Sequence, residues 1–145
     1  MSQRNPKRRA ILEEICRKHG VDSLYLFGSR AEEVRSWLEQ ETDGSIHSSS
    51  DIDVGIKVKT DERWLIEKKI SLTIDLEDYF GCRRVDLVLL NEADPFLAAE
   101  IVRGERVYAR NEQAADEYDL YVLRRAGDLA PLEKERMALI LGEAP

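Results

Sequence analysis

Cysteine is scarce in this chain. Cys16 and Cys82 stand far apart and form no CxxC pair. Two isolated cysteines make neither a disulfide scaffold nor a zinc knuckle, and they read as the reduced thiols of a cytoplasmic protein. Histidine is equally rare, and His19 and His47 cannot build a His-rich zinc site. No apolar run approaches the ~20 residues of a membrane span. Met1 to Arg9 is polar and basic with no apolar segment behind it, which argues against a secretory signal. Positive charge is in deficit: 22 Lys and Arg face 29 Asp and Glu, for a formal net charge of −7. Residues 1–9 hold four of the positive charges and no negative one, so the rest is more acidic than the whole. A general nucleic-acid binder presents a basic surface. Neither a membrane nor direct nucleic-acid contact is therefore expected.

What is present is globular material. The 145 residues are 43% hydrophobic and 35% charged, a balance that folds and needs no metal or disulfide to do so. One domain over 1–145 is expected, with a core at about 10–110 and a helical extension at about 112–141. Asn5-Pro6 is an N-cap and first-turn proline, so a helix spans 6–19 and stops at Gly20. Leu24 to Phe27 reads as a buried strand, and residues 31–40 return to helical period. Residues 41–50 are a serine-rich loop. Ile52, Val54, Ile56 and Val58 alternate with polar residues, as a strand does. Residues 61–80 form a helix with Trp64, Leu65, Ile70, Ile74 and Tyr79 on its apolar stripe. A third strand covers 85–90, and Asp94-Pro95 caps a helix to about 103. Arg106 to Arg110 is a short strand, and 112–141 is one or two helices broken near Pro131. Interleaved strands and helices predict one small sheet with helices on at least one face.

Three features carry chemistry. Gly28-Ser29 ends a buried strand and opens a helix, where close backbone approach and free N–H groups can cradle a phosphate. Alone, it also fits an ordinary turn with Ser29 as N-cap. Asp51 and Asp53, two apart on a strand, share a face ~7 Å apart. At an effective dielectric of ~20 they repel by about 2 kcal/mol, which a cation between them would relieve. Alone, the pair also fits a turn former beside an Asp53–Lys57 ion pair. Asp86 is the one acid in an apolar strand and needs a partner; Arg83 or Arg84 could be that partner. Together the three acids and the turn make the inventory of a two-metal phosphoryl-transfer site.

The segments LYLFGSRA (24–31), SDIDVGI (50–56) and VDLVLL (85–90) resemble the minimal nucleotidyltransferase (MNT) domain of the polymerase-β-like superfamily. DPFLAAEIVRGERVY (94–108) is similar to the segment that follows the third strand in that family. The resemblance covers about 10–110. It implies an α+β fold, a small mixed sheet flanked by helices, with two Mg²⁺ ions and a nucleoside triphosphate, normally ATP. Gly28 and Ser29 would bind phosphate, with Arg30 touching the triphosphate or a partner. Asp51 and Asp53 would ligate both metals, and Asp86 would hold the one nearer the acceptor and activate its hydroxyl. It further implies an antitoxin that transfers AMP to a hydroxyl, normally of tyrosine, on a helical HEPN-type toxin. An antitoxin acting by contact alone and an aminoglycoside-type small-molecule transferase are the alternatives. The 21 residues from Arg30 to Ser50 exceed the family's usual short link between turn and DxD.

Overall fold

The computed structural model describes residues 6–40, 51–59 and 64–142. The N-cap expected at Asn5, the loop at 41–50 and residues 61–63 lie outside them, and the helix expected over 61–80 begins only at Ile66, with Trp64 and Leu65 in non-helical chain before it. The elements run α1 (Pro6–His19), β1 (Ser23–Phe27), α2 (Ala31–Glu39), β2 (Ile52–Lys57), α3 (Ile66–Phe80), β3 (Val85–Leu89), α4 (Pro95–Val102), β4 (Glu105–Ala109) and α5 (Glu112–Ile140).

Local chemistry explains the boundaries. Helix α1 has proline in its first turn and ends on Arg17, Lys18 and His19, whose charge suits the negative end of the helix dipole. Asp94 caps α4 by accepting from the N–H groups of Phe96 and Leu97, and Pro95 follows it. Asn111 caps α5 by accepting from Ala114 N. Helix α5 runs unbroken through Pro131, where a break was expected. Proline removes one intrahelical donor, and the leucines, glutamates, lysine and arginine around it favour helix strongly enough to carry the turn.

The strands form one mixed sheet in the order β3-β2-β1-β4. Strand β1 pairs antiparallel with both β2 and β4, and β2 pairs parallel with β3 through the α3 crossover. Helices cover both faces. On one face Leu12 and Cys16 of α1, Val34 and Leu38 of α2 and Leu72, Leu76 and Phe80 of α3 pack on Leu24, Leu26, Ile52, Val54, Ile56 and Leu87. On the other, Ala98 and Ile101 of α4 and Val122 and Ala126 of α5 pack on Tyr25 and Phe27. Strand β1 is buried along its whole length between these layers.

The buried stripe of α3 is Leu72, Leu76 and Phe80. Ile70 and Ile74, expected in the core, are 52% and 51% exposed, and Leu65 and Ile66 are exposed with them. The helix carries two apolar stripes at helical spacing, and the sheet takes the second.

Polar contacts add to the apolar packing on the α4–α5 face. The Tyr25 hydroxyl donates to Asp119 of α5, and Arg106 of β4 bonds Asp119 (2.8 Å), Asp116 (2.7 Å) and Glu112 (2.8 Å). Helix α4 comes so close to β2 that a Cβ on Gly55 would lie 2.4 Å from Ile101 Cγ2, a fully buried group. Gly55→Ala is expected to cost about 1–3 kcal/mol in urea unfolding, since the clash outweighs the strand's preference for alanine. Combined with Ile101→Ala, the loss should fall short of the two single losses added, because truncating Ile101 makes room for the new methyl, which fills part of the cavity. Simple additivity would contradict this packing.

Candidate active site

The sheet pairing gathers the three sequence features at one end. Strand β1 runs toward its C-terminal Gly28 while β2 starts there, so Phe27 pairs with Asp53. Strand β3 runs parallel to β2, and its second residue, Asp86, falls directly beside Asp53, the second residue of β2. Neighbours in a register row project to the same face. Phe27, Asp53 and Asp86 therefore form one row on the α4–α5 face, with Asp51 two positions along the chain from Asp53.

Gly28 rests on this row. Its φ is +78°, and a Cβ there would lie 2.3 Å from Asp53 Oδ2. Glycine is required twice, by the left-handed backbone and by the carboxylate against it. Ser29 is exposed. It does not cap α2; the N-cap is Arg30, with no side-chain capping bond. Arg30 is 5% exposed, and its Nε and Nη2 lie 3.3 Å from the two oxygens of Glu33. The arginine expected to touch the triphosphate or a partner is thus buried and paired with Glu33.

The acids differ in setting. Asp53 is half-buried, and its pKa is raised by burial first and then by the charges of Asp86, Asp51 and Glu100. The side chains of Asp51 and Asp86 are 40% and 37% exposed. The guanidinium of Arg84 joins them, its Nε 3.7 Å from Asp51 Oδ2 and 3.1 Å from Asp86 Oδ1. The ion pair that could satisfy Asp86 thus exists, and it reaches Asp51 as well. Lys57, the other candidate counter-ion, pairs with Asp22 at 3.4 Å and leaves Asp53 without it.

Among the described residues no three His, Cys, Asp or Glu side chains are grouped as a ready metal site. Arg84 holds two of the carboxylates as a stand-in cation. The donors fit a hard divalent ion in kind: all are carboxylate oxygens, and repulsion among them opposes the charged state of Asp53. Beside them, an open cleft of ≈ 610 Å³ is lined by Asp51, Thr73, Glu77, Arg83, Arg84 and Val85.

Sequence reasoning had no role for Glu100 and offered Arg84 only as a possible partner of Asp86. Glu100 gives no local signal, because it reaches Asp53 only once α4 docks. Arg84 does give one. It stands two residues before Asp86 at the strand entry, the same spacing that relates Asp51 to Asp53.

The family model for polymerase beta nucleotidyltransferases matches residues 11–113. The chain belongs to this nucleotidyltransferase family. In structure it is similar to a chain of a toxin–antitoxin complex with AMP-PNP, at 20% identity and TM-score 0.65, covering 91% of this chain and 94% of that one. It is similar to a chain of the toxin–antitoxin complex MntA–HepT, at 18% identity and TM-score 0.62, over 94% and 96%. A third is a chain of the tri-AMPylated Shewanella oneidensis HEPN toxin in complex with MNT antitoxin, at 18% identity and TM-score 0.62, over 93% and 94%. At these identities the likeness establishes the fold, the polymerase-β-like α+β fold expected. No curated protein matches the chain in sequence. Among the described residues no helix is long and apolar enough to cross a membrane.

The raised pKa of Asp53 fixes the sign of a pH effect. Between its unfolded value, about 3.9, and its higher folded value, the native state holds more protons, so stability falls as pH rises. Asp53→Asn removes this penalty. In chelator-treated protein it is expected to melt a few degrees above wild type at pH 7.5, with the gain shrinking toward pH 4. Thermal melts across that range check it, and a gain that grows on acidification would contradict the assignment.

Proposed function

We propose that this protein transfers AMP from ATP to a hydroxyl, most plainly a tyrosine, on a HEPN-type toxin, and so acts as the antitoxin of a two-protein pair in the cytoplasm. The observation that carries it is the row in which Asp53 and Asp86 stand side by side in parallel register with Gly28 seated on Asp53. Family membership supports nucleotidyl transfer. The AMP-PNP complex and the AMPylated toxin belong to proteins of the same fold and support ATP and a protein acceptor.

In this reading Gly28 and Ser29 bring backbone N–H groups at the start of α2 to the phosphates, a site that a larger residue at position 28 would close. Arg30 braces the turn from below through Glu33. Asp51, Asp53 and Asp86 would hold two Mg²⁺ ions, which when bound neutralise the phosphate oxygens. Asp86 accepts the proton of the incoming hydroxyl as its oxygen bonds the α-phosphorus, and pyrophosphate leaves with the electrons of the broken α–β bond. Strand β3 lies at the sheet edge and Asp86 is partly exposed, so this position is open to a loop from another protein. The chain also bears an exposed apolar ridge, Leu65, Ile66, Ile70 and Ile74, of the kind that marks a protein contact.

The two readings that place the acceptor elsewhere, or dispense with transfer, are separated by one experiment. A HEPN-type protein that forms a complex with this chain is incubated with wild-type protein, ATP and Mg²⁺, and weighed by mass spectrometry. Wild type is expected to add one or more AMP units. Asp86→Asn should slow the addition by about 10²-fold or more while retaining most ATP binding, as loss of a general base does. An unmodified partner whose activity is nonetheless blocked in the complex would establish action by contact alone.

A further inference from the structure

The arginine that bridges Asp51 and Asp86 has a consequence for cation entry. We propose that Arg84 is the resident counter-ion of the acidic site: it occupies the oxygens of Asp51 and Asp86 in the nucleotide-free protein and leaves them when a divalent cation enters. The inference rests on the reading of these carboxylates as the metal site.

The geometry supports displacement. Arg84 Nε meets Asp86 Oδ1 at 3.1 Å and Asp51 Oδ2 at 3.7 Å, so one cation serves both acids. An oxygen that gives its lone pairs to a metal ion cannot also hold the guanidinium. The Arg84 side chain is 66% exposed, and neither carboxylate partner is buried. Exposed ion pairs contribute little net stability, so releasing this one is easy. Arg84 lies at the strand entry, and nothing in the core depends on its side chain; its backbone carbonyl, which accepts from Ile52 N, is unaffected by substitution. Without such a cation, three carboxylates would face one another with only solvent to screen them. Arg84 therefore has two opposed effects. It offsets the repulsion between Asp51 and Asp86, and it competes with a cation for their oxygens. It is a positioning residue for Asp51 and Asp86, acting through their charge.

The test is a Mn²⁺ titration of the full chain without nucleotide, following free Mn²⁺ by electron paramagnetic resonance at fixed ionic strength. Arg84→Gln is expected to bind Mn²⁺ about three- to tenfold more tightly than wild type, because the competitor is gone. Arg84→Lys, which keeps the charge but loses the planar fork, should fall between. Arg83→Gln removes the adjacent exposed charge, which is not on the carboxylates, and should change the affinity less than twofold. Binding that is unchanged or weaker in Arg84→Gln overturns the proposal, as does an equal gain in Arg83→Gln, which would trace the effect to the general field. Mn²⁺ binding that needs Asp53 yet ignores Arg84 overturns this inference and leaves the metal-site reading standing. Absence of saturable binding in wild type and Arg84→Gln alike, or binding indifferent to Asp53→Asn, overturns both.

Discussion

Parallel register between β2 and β3 forces two carboxylates into one row. The α3 crossover returns the chain so that both strands begin at the same edge, and the second residue of each is an aspartate. Antiparallel pairing would have reversed β3 relative to β2 and carried its acid toward the other end. The like charges then oppose each other across a strand spacing of about 4.8 Å, and burial makes the conflict worse for Asp53. Nothing in the packing of the hydrophobic layers needs this. On the proposed function, unfavourable charges kept adjacent with a glycine against one of them are there for what they can bind.

The remaining structure serves to hold that row still. Strand β1 is buried on both faces, so the turn that follows it is set by a rigid element. The close contact of Gly55 with Ile101 sets how near α4 comes to β2, and hence brings Glu100 into electrostatic range of Asp53. The Tyr25–Asp119–Arg106 network ties β1, β4 and α5 together beneath the same face. Its members are partly buried and mutually bonded, so they add rigidity without a free charge in the interior.

Much of this was legible in the sequence, for identifiable reasons. Caps and stops at Pro6, Gly20 and Asp94 report on local backbone chemistry, and the elements fall where those residues put them. The carboxylate row was legible because Asp53 falls on the polar face of an alternating strand and Asp86 is the one acid in an otherwise apolar one. The face of α3 was not. Ile66, Ile70 and Ile74 repeat as regularly as Leu72, Leu76 and Phe80, and only the sheet decides which stripe is covered. The burial of Arg30 was not legible either, because a charged residue after Gly-Ser reads as exposed until α2 folds over it with Glu33. Pro131 misled in the opposite sense. It marks a lost donor, but an exposed helix with strong helix formers on both sides tolerates one.

Neighbouring carboxylates with different settings are suited to different tasks. Asp53 has strands on both sides and Gly28 against its Oδ2, so its position is fixed and one side is closed. Such a group suits a permanent ligand, since it cannot turn away from what it binds. Asp86 stands in the same row but on an edge strand, with its side chain 37% exposed and its present partner a mobile-stemmed arginine. It can exchange partners without disturbing the sheet. On the proposed reading, that asymmetry assigns the nucleotide to the closed side of the row and the incoming hydroxyl to the open one. In that reading the acceptor approaches from beyond β3, past Arg84.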